Sequence, residues 1–144
     1  IVGGSRNKGR ELKDKFLAKL PALKKVIEEV RWSFLERGEV QLPDGRWVRC
    51  RSEHAALNTM LQGAGAIVSK YWMVVANLRL KAYKDKVLQM AYVHDELQFA
   101  VHKSVAKEVC KVLEEASLEA GERLGIKMPL HSEACIGLNW QETH

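Results

Sequence analysis

Two short apolar runs, residues 87–93 and 96–101, constrain the fold of this chain more than any other feature. Both are rich in residues that favour β-strands, and only His94 and Asp95 separate them. A two-residue connection between such runs predicts an antiparallel hairpin. Because both faces of each run are apolar, we expect helices to cover the hairpin.

Helical patterns occupy the first 38 residues. Ser5 can cap a first helix, and Pro21 suits the first turn of a second helix that ends at Gly38. Apolar residues recur in both segments at helical spacing, namely Leu12, Phe16 and Leu20 in the first and Leu23, Val26, Ile27, Val30 and Phe34 in the second. We therefore expect two helices before the first strand.

A short hairpin and a long helix are predicted next. Residues 39–42 and 46–50 form the two strands, and the Pro-Asp-Gly sequence between them forms the turn. Ser52 can cap a helix that runs to about Tyr83. Its expected core stripe consists of Leu57, Met60 or Leu61, Ala64, Ile67, Tyr71, Val74 and Leu78.

The carboxyl-terminal part predicts one more helix and one more strand. The helix runs from Ser104 to about Leu124, and the strand from Met128 to Cys135. The apolar face of this helix consists of Val105, Val109, Val112, Ala116 and Ala120. The order of these elements predicts the α+β class, with a small antiparallel sheet packed against long helices.

The charge of the chain is +5 and is unevenly distributed. Residues 1–52 carry +6, with 13 basic and 7 acidic side chains, whereas residues 53–102 carry +1 and residues 103–144 carry −2. A polyanion such as nucleic acid is therefore expected to contact the amino-terminal third.

Three further features narrow the class of protein. No apolar run approaches the ~20 residues that span a bilayer, so a membrane protein is not expected. Cys50, Cys110 and Cys135 lack metal-binding spacing, which favours reduced thiols in a cytoplasmic protein. The chain begins at Ile1 rather than Met and without a signal peptide, so we expect a segment of a longer protein.

The residues at the turn of the predicted hairpin could carry chemistry. His94, Asp95 and Glu96 interrupt apolar strands where a carboxylate can leave the core while paired strands hold its backbone. Metal-dependent phosphoryl transfer needs such fixed carboxylates, because two ions ~4 Å apart must meet the attacking and leaving oxygens. A polar turn without a ligand is the simpler interpretation, and the residues alone leave both open.

A polar stripe follows one side of the long helix. His54, Asn58 and Gln62 are four residues apart, so each lies about 40° past the one before. All three side chains donate and accept hydrogen bonds, which suits contact with the minor-groove acceptors present on every base pair. A helix packed against polar backbone could use the same residues, and the spacing does not decide between these interpretations.

Several stretches of the chain match motifs that occur together in one enzyme family. Residues 51–64, RSEHAALNTMLQGA, are similar to its palm-helix motif, and residues 93–96, VHDE, are similar to its motif C at about the right distance downstream. The Gly-x-Asn-Trp ending in residues 137–144 and the opening in residues 1–17 are similar as well. These stretches occur in the order found in that family and together extend over nearly the whole chain. The chain therefore resembles the DNA polymerase I family, family A, in its short-tailed bacteriophage branch.

The resemblance implies a polymerase palm fragment with a role for each matching residue. Asp95 would bind metal in a two-ion Mg²⁺ site between the primer terminus and the incoming triphosphate. Glu96 would support that metal site, and His94 would lie beside the primer end. The implied DNA-binding residues are Asn58 and Gln62 in the minor groove, together with His54 and Arg51.

The same resemblance implies a division of the chain and a missing part. Residues 1–38 would be the helical end of the fingers, and residues 39–144 the carboxyl-terminal part of the palm. The motif A aspartate and the fingers helix would lie upstream, because no Asp-x-Ser-x-x-Glu pattern occurs in the chain. The implied partners are primer-template DNA, deoxynucleoside triphosphates and that upstream segment, without which polymerase activity is not expected.

Two other functions are compatible with parts of the sequence. A metal phosphohydrolase could use His54, His94 and Asp95, but such sites need a further aspartate downstream and an all-helical fold. A non-catalytic basic DNA-binding domain would account for the charge of residues 1–52 but not for the polar turn. Metal binding that is lost in Asp95→Asn would separate a polymerase from the second alternative.

Overall fold

A computed structural model describes residues 6–143 and confirms an α+β fold with small antiparallel sheets. Its helices are α1 (Arg6–Lys19), α2 (Pro21–Arg37), α3 (Glu53–Arg79) and α4 (Ala106–Arg123), and its strands are β1 (Glu39–Gln41), β2 (Trp47–Arg49), β3 (Val87–Val93) and β4 (Glu96–Val101). Short 3-10 turns occupy Leu80–Tyr83, Lys103–Val105 and Trp140–Thr143. None of the described helices is long and apolar enough to cross a membrane. The expected cap at Ser5 lies outside the described residues.

The contacts of the chain divide it into two compact units, residues 1–62 and 63–144. In the first unit, β1 and β2 pair antiparallel and pack against α2 and the start of α3. The core of this unit consists of buried Val40, Cys50 and Ala56, with Val30, Phe34 and Met60 packed against them. Helix α1 has no buried residue, so most of its apolar face is exposed.

The helix ends in the first unit follow the local chemistry predicted for them. Helix α2 begins at Pro21, and Gly38 ends it in the left-handed region with φ 70° while donating its N–H to the Phe34 carbonyl. Ser52 caps α3, because its Oγ accepts the Ala55 N–H at 3.3 Å. These three predicted limits are therefore confirmed.

The second unit is built on the packing of α3 against α4. Val75, Ala76, Ala116 and Ala120 form one buried cluster at this contact. Trp72 packs against this cluster, and its Nε1 donates a hydrogen bond to the Leu113 carbonyl at 2.9 Å. A second cluster, consisting of Leu80, Val105 and Val109, receives the hairpin side chains Val87, Phe99 and Val101.

An ion-pair network ties the end of α3 to α4 at the surface. The Arg79 guanidinium lies 2.8 Å from Glu115 and 2.6 Å from Glu119. Arg123 pairs with the same Glu119 from its own helix. The hydrogen bond from Arg79, assisted by Arg123, lowers the pKa of Glu119 below its ordinary value. This carboxyl therefore stays ionised to lower pH in the folded chain.

Strands β3 and β4 form the predicted antiparallel hairpin. The register pairs Gln89 with Phe99 but Ala91 with Gln98, so Met90 is an extra residue in β3 and forms a β-bulge. Helices cover only one face of this sheet among the described residues. Leu88 and Met90 are each 63% exposed, so the expectation that helices cover both faces is not met.

The core stripe expected for α3 is wrong in its second half. Tyr71, Val74 and Leu78 are exposed, whereas Val75 and Ala76 are buried against α4. Residues 71–76 are apolar throughout, so helical periodicity alone cannot choose the buried face. Packing against α4 decides which face of α3 is buried.

The strand expected over Met128–Cys135 does not form among the described residues. Side chains of α4 satisfy the backbone of this segment instead: Ser117 Oγ donates to the Leu130 carbonyl, and Glu114 Oε1 accepts the Ala134 N–H. Pro129 also lacks the N–H that a strand ladder would use. The segment therefore docks on α4 instead of pairing as a strand.

The first prediction concerns the glycine at the end of α2. Gly38→Ala should lower the free energy of unfolding by about 1 kcal/mol, because an L-residue is strained at positive φ. Gly65→Ala is the matched control: Gly65 lies inside α3 with open space at its β-position, so alanine should stabilise the chain by about 0.5 to 1 kcal/mol. Urea denaturation measures both, and equal effects would contradict the assignment of Gly38.

The second prediction concerns the turn between β3 and β4. His94 has φ 54°, a conformation that β-branched residues adopt only under strain. His94→Val should therefore destabilise the chain by about 1 kcal/mol or more, while His94→Gly should not destabilise it. His131→Val, at an exposed position after α4, should change stability by less than about 0.5 kcal/mol. A chain in which both valine variants unfold at the same urea concentration would contradict strain at His94.

Candidate functional site

The turn of the β3–β4 hairpin holds the candidate metal-binding residues at a fixed place. Val93 and Glu96 are the last cross-strand pair, so only His94 and Asp95 form the connection. A positive φ at the first loop position is a feature of the primed turns that join twisted strands in two residues. His94 and Asp95 are exposed, and Glu96 is half-buried. The ladder thus places an accessible carboxylate at the end of two paired strands.

The Glu96 carboxylate has a hydrogen-bond partner within β4. Gln98 Nε2 donates a hydrogen bond to Glu96 Oε1. Side chains two residues apart in a strand lie on the same face, so this contact follows directly from the strand geometry. No role was predicted for Gln98 from the sequence, although the alternation of a strand places its side chain on the same face as that of Glu96.

The residues at the turn fit part of a magnesium site. Carboxylate oxygens are the ligands that Mg²⁺ prefers, and this ion commonly uses only one or two protein carboxylates together with water and substrate phosphates. Asp95 and Glu96 supply carboxylates at the turn and at the start of β4. Within residues 6–143, no group of three or more His, Cys, Asp or Glu side chains is arranged to hold a metal ion. The described residues therefore offer a partial donor set.

The polar stripe on α3 is exposed along its whole length. His54, Asn58 and Gln62 are all accessible, as is Arg51 just before the helix. Ala56, at 0% exposure, packs into the core of the first unit together with Met60, so the opposite face of the helix is the buried one. An ion pair of 2.7 Å between Arg31 and Glu53 anchors the start of the helix. The stripe can therefore contact a ligand.

The candidate residues belong to two different units of the chain. The polar stripe lies in the first unit, and His94, Asp95 and Glu96 lie in the second. Each unit positions its own residues by its own core. That the stripe and Asp95 face the same ligand stays a prediction.

The metal phosphohydrolase alternative does not agree with the fold. Such a site requires helices around His94 and Asp95, but the residues on both sides of this dipeptide are strands. No aspartate follows Asp95 within these 144 residues. The strands on both sides of the dipeptide contradict this alternative.

The chain is similar to DNA polymerases over nearly its whole length. The family model for DNA polymerase family A matches residues 2–142. The DNA-directed DNA polymerases of Enterobacteria phage T3 and Escherichia phage T7 are 36% and 33% identical, over 100% of this chain and 23% of each relative. DNA polymerase I of Pseudomonas aeruginosa is 26% identical over 99% of this chain and 17% of the relative. The chain thus spans about a quarter or less of the length of these relatives.

A solved structure has the same fold. The POL domain of Pol1 from M. smegmatis, solved in complex with DNA primer-template and dNTP, superposes with a TM-score of 0.75 at 20% identity. The match covers 90% of this chain and 24% of that one. The likeness in sequence to the phage and bacterial enzymes and the agreement in fold lead to one assignment. The chain belongs to DNA polymerase family A.

Proposed function

We propose that this chain is the carboxyl-terminal palm part of a template-directed DNA polymerase and supplies its motif C metal ligand, Asp95. The observation that carries the proposal is the exposed carboxylate at a two-residue turn whose backbone two paired strands hold in place. This turn occurs in a chain whose match to family A covers residues 2–142. A ligand for a reacting phosphate needs this combination of access and rigidity.

The residues at the turn have separate tasks in nucleotidyl transfer. When bound, two Mg²⁺ ions align the attacking and leaving oxygens and neutralise the charge on the transferred phosphate. Asp95 offers carboxylate oxygens to that pair of ions. Glu96, which accepts a hydrogen bond from Gln98, adds negative charge beside Asp95 and supports the metal site. His94 lies in the same turn, and its ring can donate a hydrogen bond to the primer end.

The residues on α3 contact the newest base pairs in this proposal. Asn58 and Gln62 carry amide donors that can reach the minor-groove acceptors common to all four correct base pairs. His54 and Arg51 extend the same contact toward the start of the helix, where the Arg51 side chain can meet a phosphate. Such contacts are independent of sequence, as replication of any template requires.

The proposed enzyme needs partners beyond this chain. Its substrates are primer-template DNA and deoxynucleoside triphosphates, and its second metal-binding aspartate comes from an upstream segment that also carries the fingers helix. Residues 1–38 form the end of the fingers, and residues 39–144 form palm structure. The reaction takes place in the cytoplasm of a bacterial or phage-infected cell.

The third prediction is that residues 1–144 alone do not polymerise DNA. Two-metal transfer needs carboxylates from more than one segment, and the chain supplies only those at the turn. A chimera in which residues 1–144 replace the matching 23% of the T7 phage polymerase should be active. Primer extension with Mg²⁺ and all four nucleotides measures both. Extension by purified residues 1–144 that is lost in Asp95→Asn would contradict the proposed incompleteness.

The fourth prediction concerns the carboxylates in that chimera. Asp95→Asn should lower the extension rate by at least about 10³-fold, more than the 10- to 100-fold typical for losing an outer partner of a metal site. Glu96→Gln should only reduce the rate. Asp85→Asn is the matched control, because Asp85 is an exposed aspartate outside the turn, and it should leave the rate unchanged.

The outcome also distinguishes a polymerase part from a basic DNA-binding domain. Salt-dependent DNA affinity is expected of both, so it does not separate them. Weaker Mg²⁺ binding in Asp95→Asn, with DNA affinity retained, supports the polymerase role. Equal extension rates for Asp95→Asn and Asp85→Asn would overturn the assignment of Asp95.

The fifth prediction concerns minor-groove contact. In the chimera, Gln62→Ala should slow extension from mispaired primer ends about 3- to 10-fold, the effect of one hydrogen bond, and leave Mg²⁺ binding unchanged. A mispair displaces the base edges, so a minor-groove contact that remains contributes more to extension from a mispaired end than from a matched end. Gln41→Ala, on the exposed side of β1, is the control. Unchanged mispair extension at full activity on matched ends would refute the DNA-reading role while leaving that of Asp95 intact.

A further inference from the structure

Two cysteines of the second unit lie on segments that pack against each other. Cys110 is in the second turn of α4 and is partly buried. Cys135 is exposed and belongs to the segment that follows α4, 25 positions later in the sequence. Their spacing matches no metal or redox motif, so only the fold can bring them together.

The contacts between α4 and the returning segment run in antiparallel order. Ser117 Oγ donates to the Leu130 carbonyl at 3.2 Å and accepts from Ser132 Oγ at 3.1 Å. Further along the segment, the Ala134 N–H donates to Glu114 Oε1 at 3.1 Å. As the segment advances, its contacts move toward the start of α4. The next residue after Ala134 therefore lies beside the helical turn before Glu114.

That turn contains Cys110. Residues four apart share a face of a helix, so Cys110 and Glu114 point to the same side of α4. Glu114 holds the backbone of Ala134, and Cys135 follows directly. Burial, with smaller contributions from the charges of Glu114 and of Cys135, raises the pKa of the Cys110 thiol. The contribution of Cys135 agrees with the placement of the two thiols as neighbours.

We propose that Cys110 and Cys135 form a thiol pair that reacts with small-molecule disulfides such as oxidised glutathione and closes to an intrachain disulfide. Cys135 reacts first because it is the exposed partner. Cys110 then resolves the mixed disulfide from its position on α4. Cys50 takes no part, because it is buried in the core of the first unit.

The reaction consists of two thiol–disulfide exchanges. The Cys135 thiolate attacks one sulfur of oxidised glutathione, a new S–S bond forms, and one glutathione thiolate leaves and takes up a proton. The Cys110 thiol loses its proton to solvent and attacks the Cys135 sulfur, which releases the second glutathione. The chain loses two electrons and two protons in total, and glutathione disulfide gains them to become two thiols. A reducing cytosol keeps the pair open, so the bridge forms when the glutathione pool is oxidised.

The test treats the native 144-residue chain with oxidised glutathione and follows intact mass and cross-linked peptides. The wild-type chain should lose two free thiols and yield a peptide that joins Cys110 to Cys135. Cys110→Ser should stop with one glutathione attached to Cys135. Cys135→Ser should react at least 10-fold more slowly and form no bridge, and Cys50→Ala should behave as the wild type does.

A second arm separates the folded geometry from chance pairing. In urea, loop length alone should favour the bridge between Cys110 and Cys135, which closes a 25-residue loop, by about 4-fold over the bridge between Cys50 and Cys110, which closes a 60-residue loop. In the native chain, the preference for the Cys110–Cys135 bridge should be at least 10-fold higher than in urea. A native preference equal to that in urea would overturn the proposal. A wild-type chain that keeps glutathione on Cys135 without forming a bridge would overturn it as well.

Discussion

The contact between α3 and α4 is the interaction on which the second unit depends. Ala76, Ala116 and Ala120 are each 0% exposed and form one buried cluster with Val75, so small side chains fill much of this contact. The same pair of helices receives Leu97 of β4. A β-carbon at Gly121 would lie 3.0 Å from Leu130 Cγ, so the carboxyl-terminal segment packs closely against α4 at this position. One helix pair thus positions both the hairpin and the returning segment.

The elements that the sequence predicts correctly are those whose limits depend on neighbouring residues. Strands β3 and β4 have the limits of the apolar runs, since a two-residue polar turn leaves no choice of register at the apex. Pro21, Gly38 and Ser52 mark helix ends through their own backbone and side-chain chemistry. The buried face of α3 beyond residue 70 and the segment after α4 could not be predicted, because partners distant in sequence decide both.

The candidate site divides in the same way. The exposed carboxylate at the turn and the exposed stripe on α3 follow from local patterns, and the roles proposed for them come from the resemblance to family A. The left-handed conformation of His94 and the contact between Gln98 and Glu96 needed the folded hairpin. The neighbouring positions of Cys110 and Cys135 depend on how Glu114 and Ser117 receive a segment that returns along the helix. No spacing rule contains that information.

The bulge at Met90 has a consequence for how this chain can change over evolutionary time. Side chains in a strand alternate between faces, so one extra residue reverses the alternation on the side of the bulge that leads to the turn. Deletion of Met90 would leave Gln89 opposite Phe99 and Ala91 opposite Gln98 in a regular ladder, so Ala91, Tyr92 and Val93 would keep their faces. The Met90 side chain is 63% exposed, so other side chains can replace it. Substitution of Met90 and its loss both leave the faces of the neighbouring residues unchanged, so the strand is expected to tolerate either change at this position.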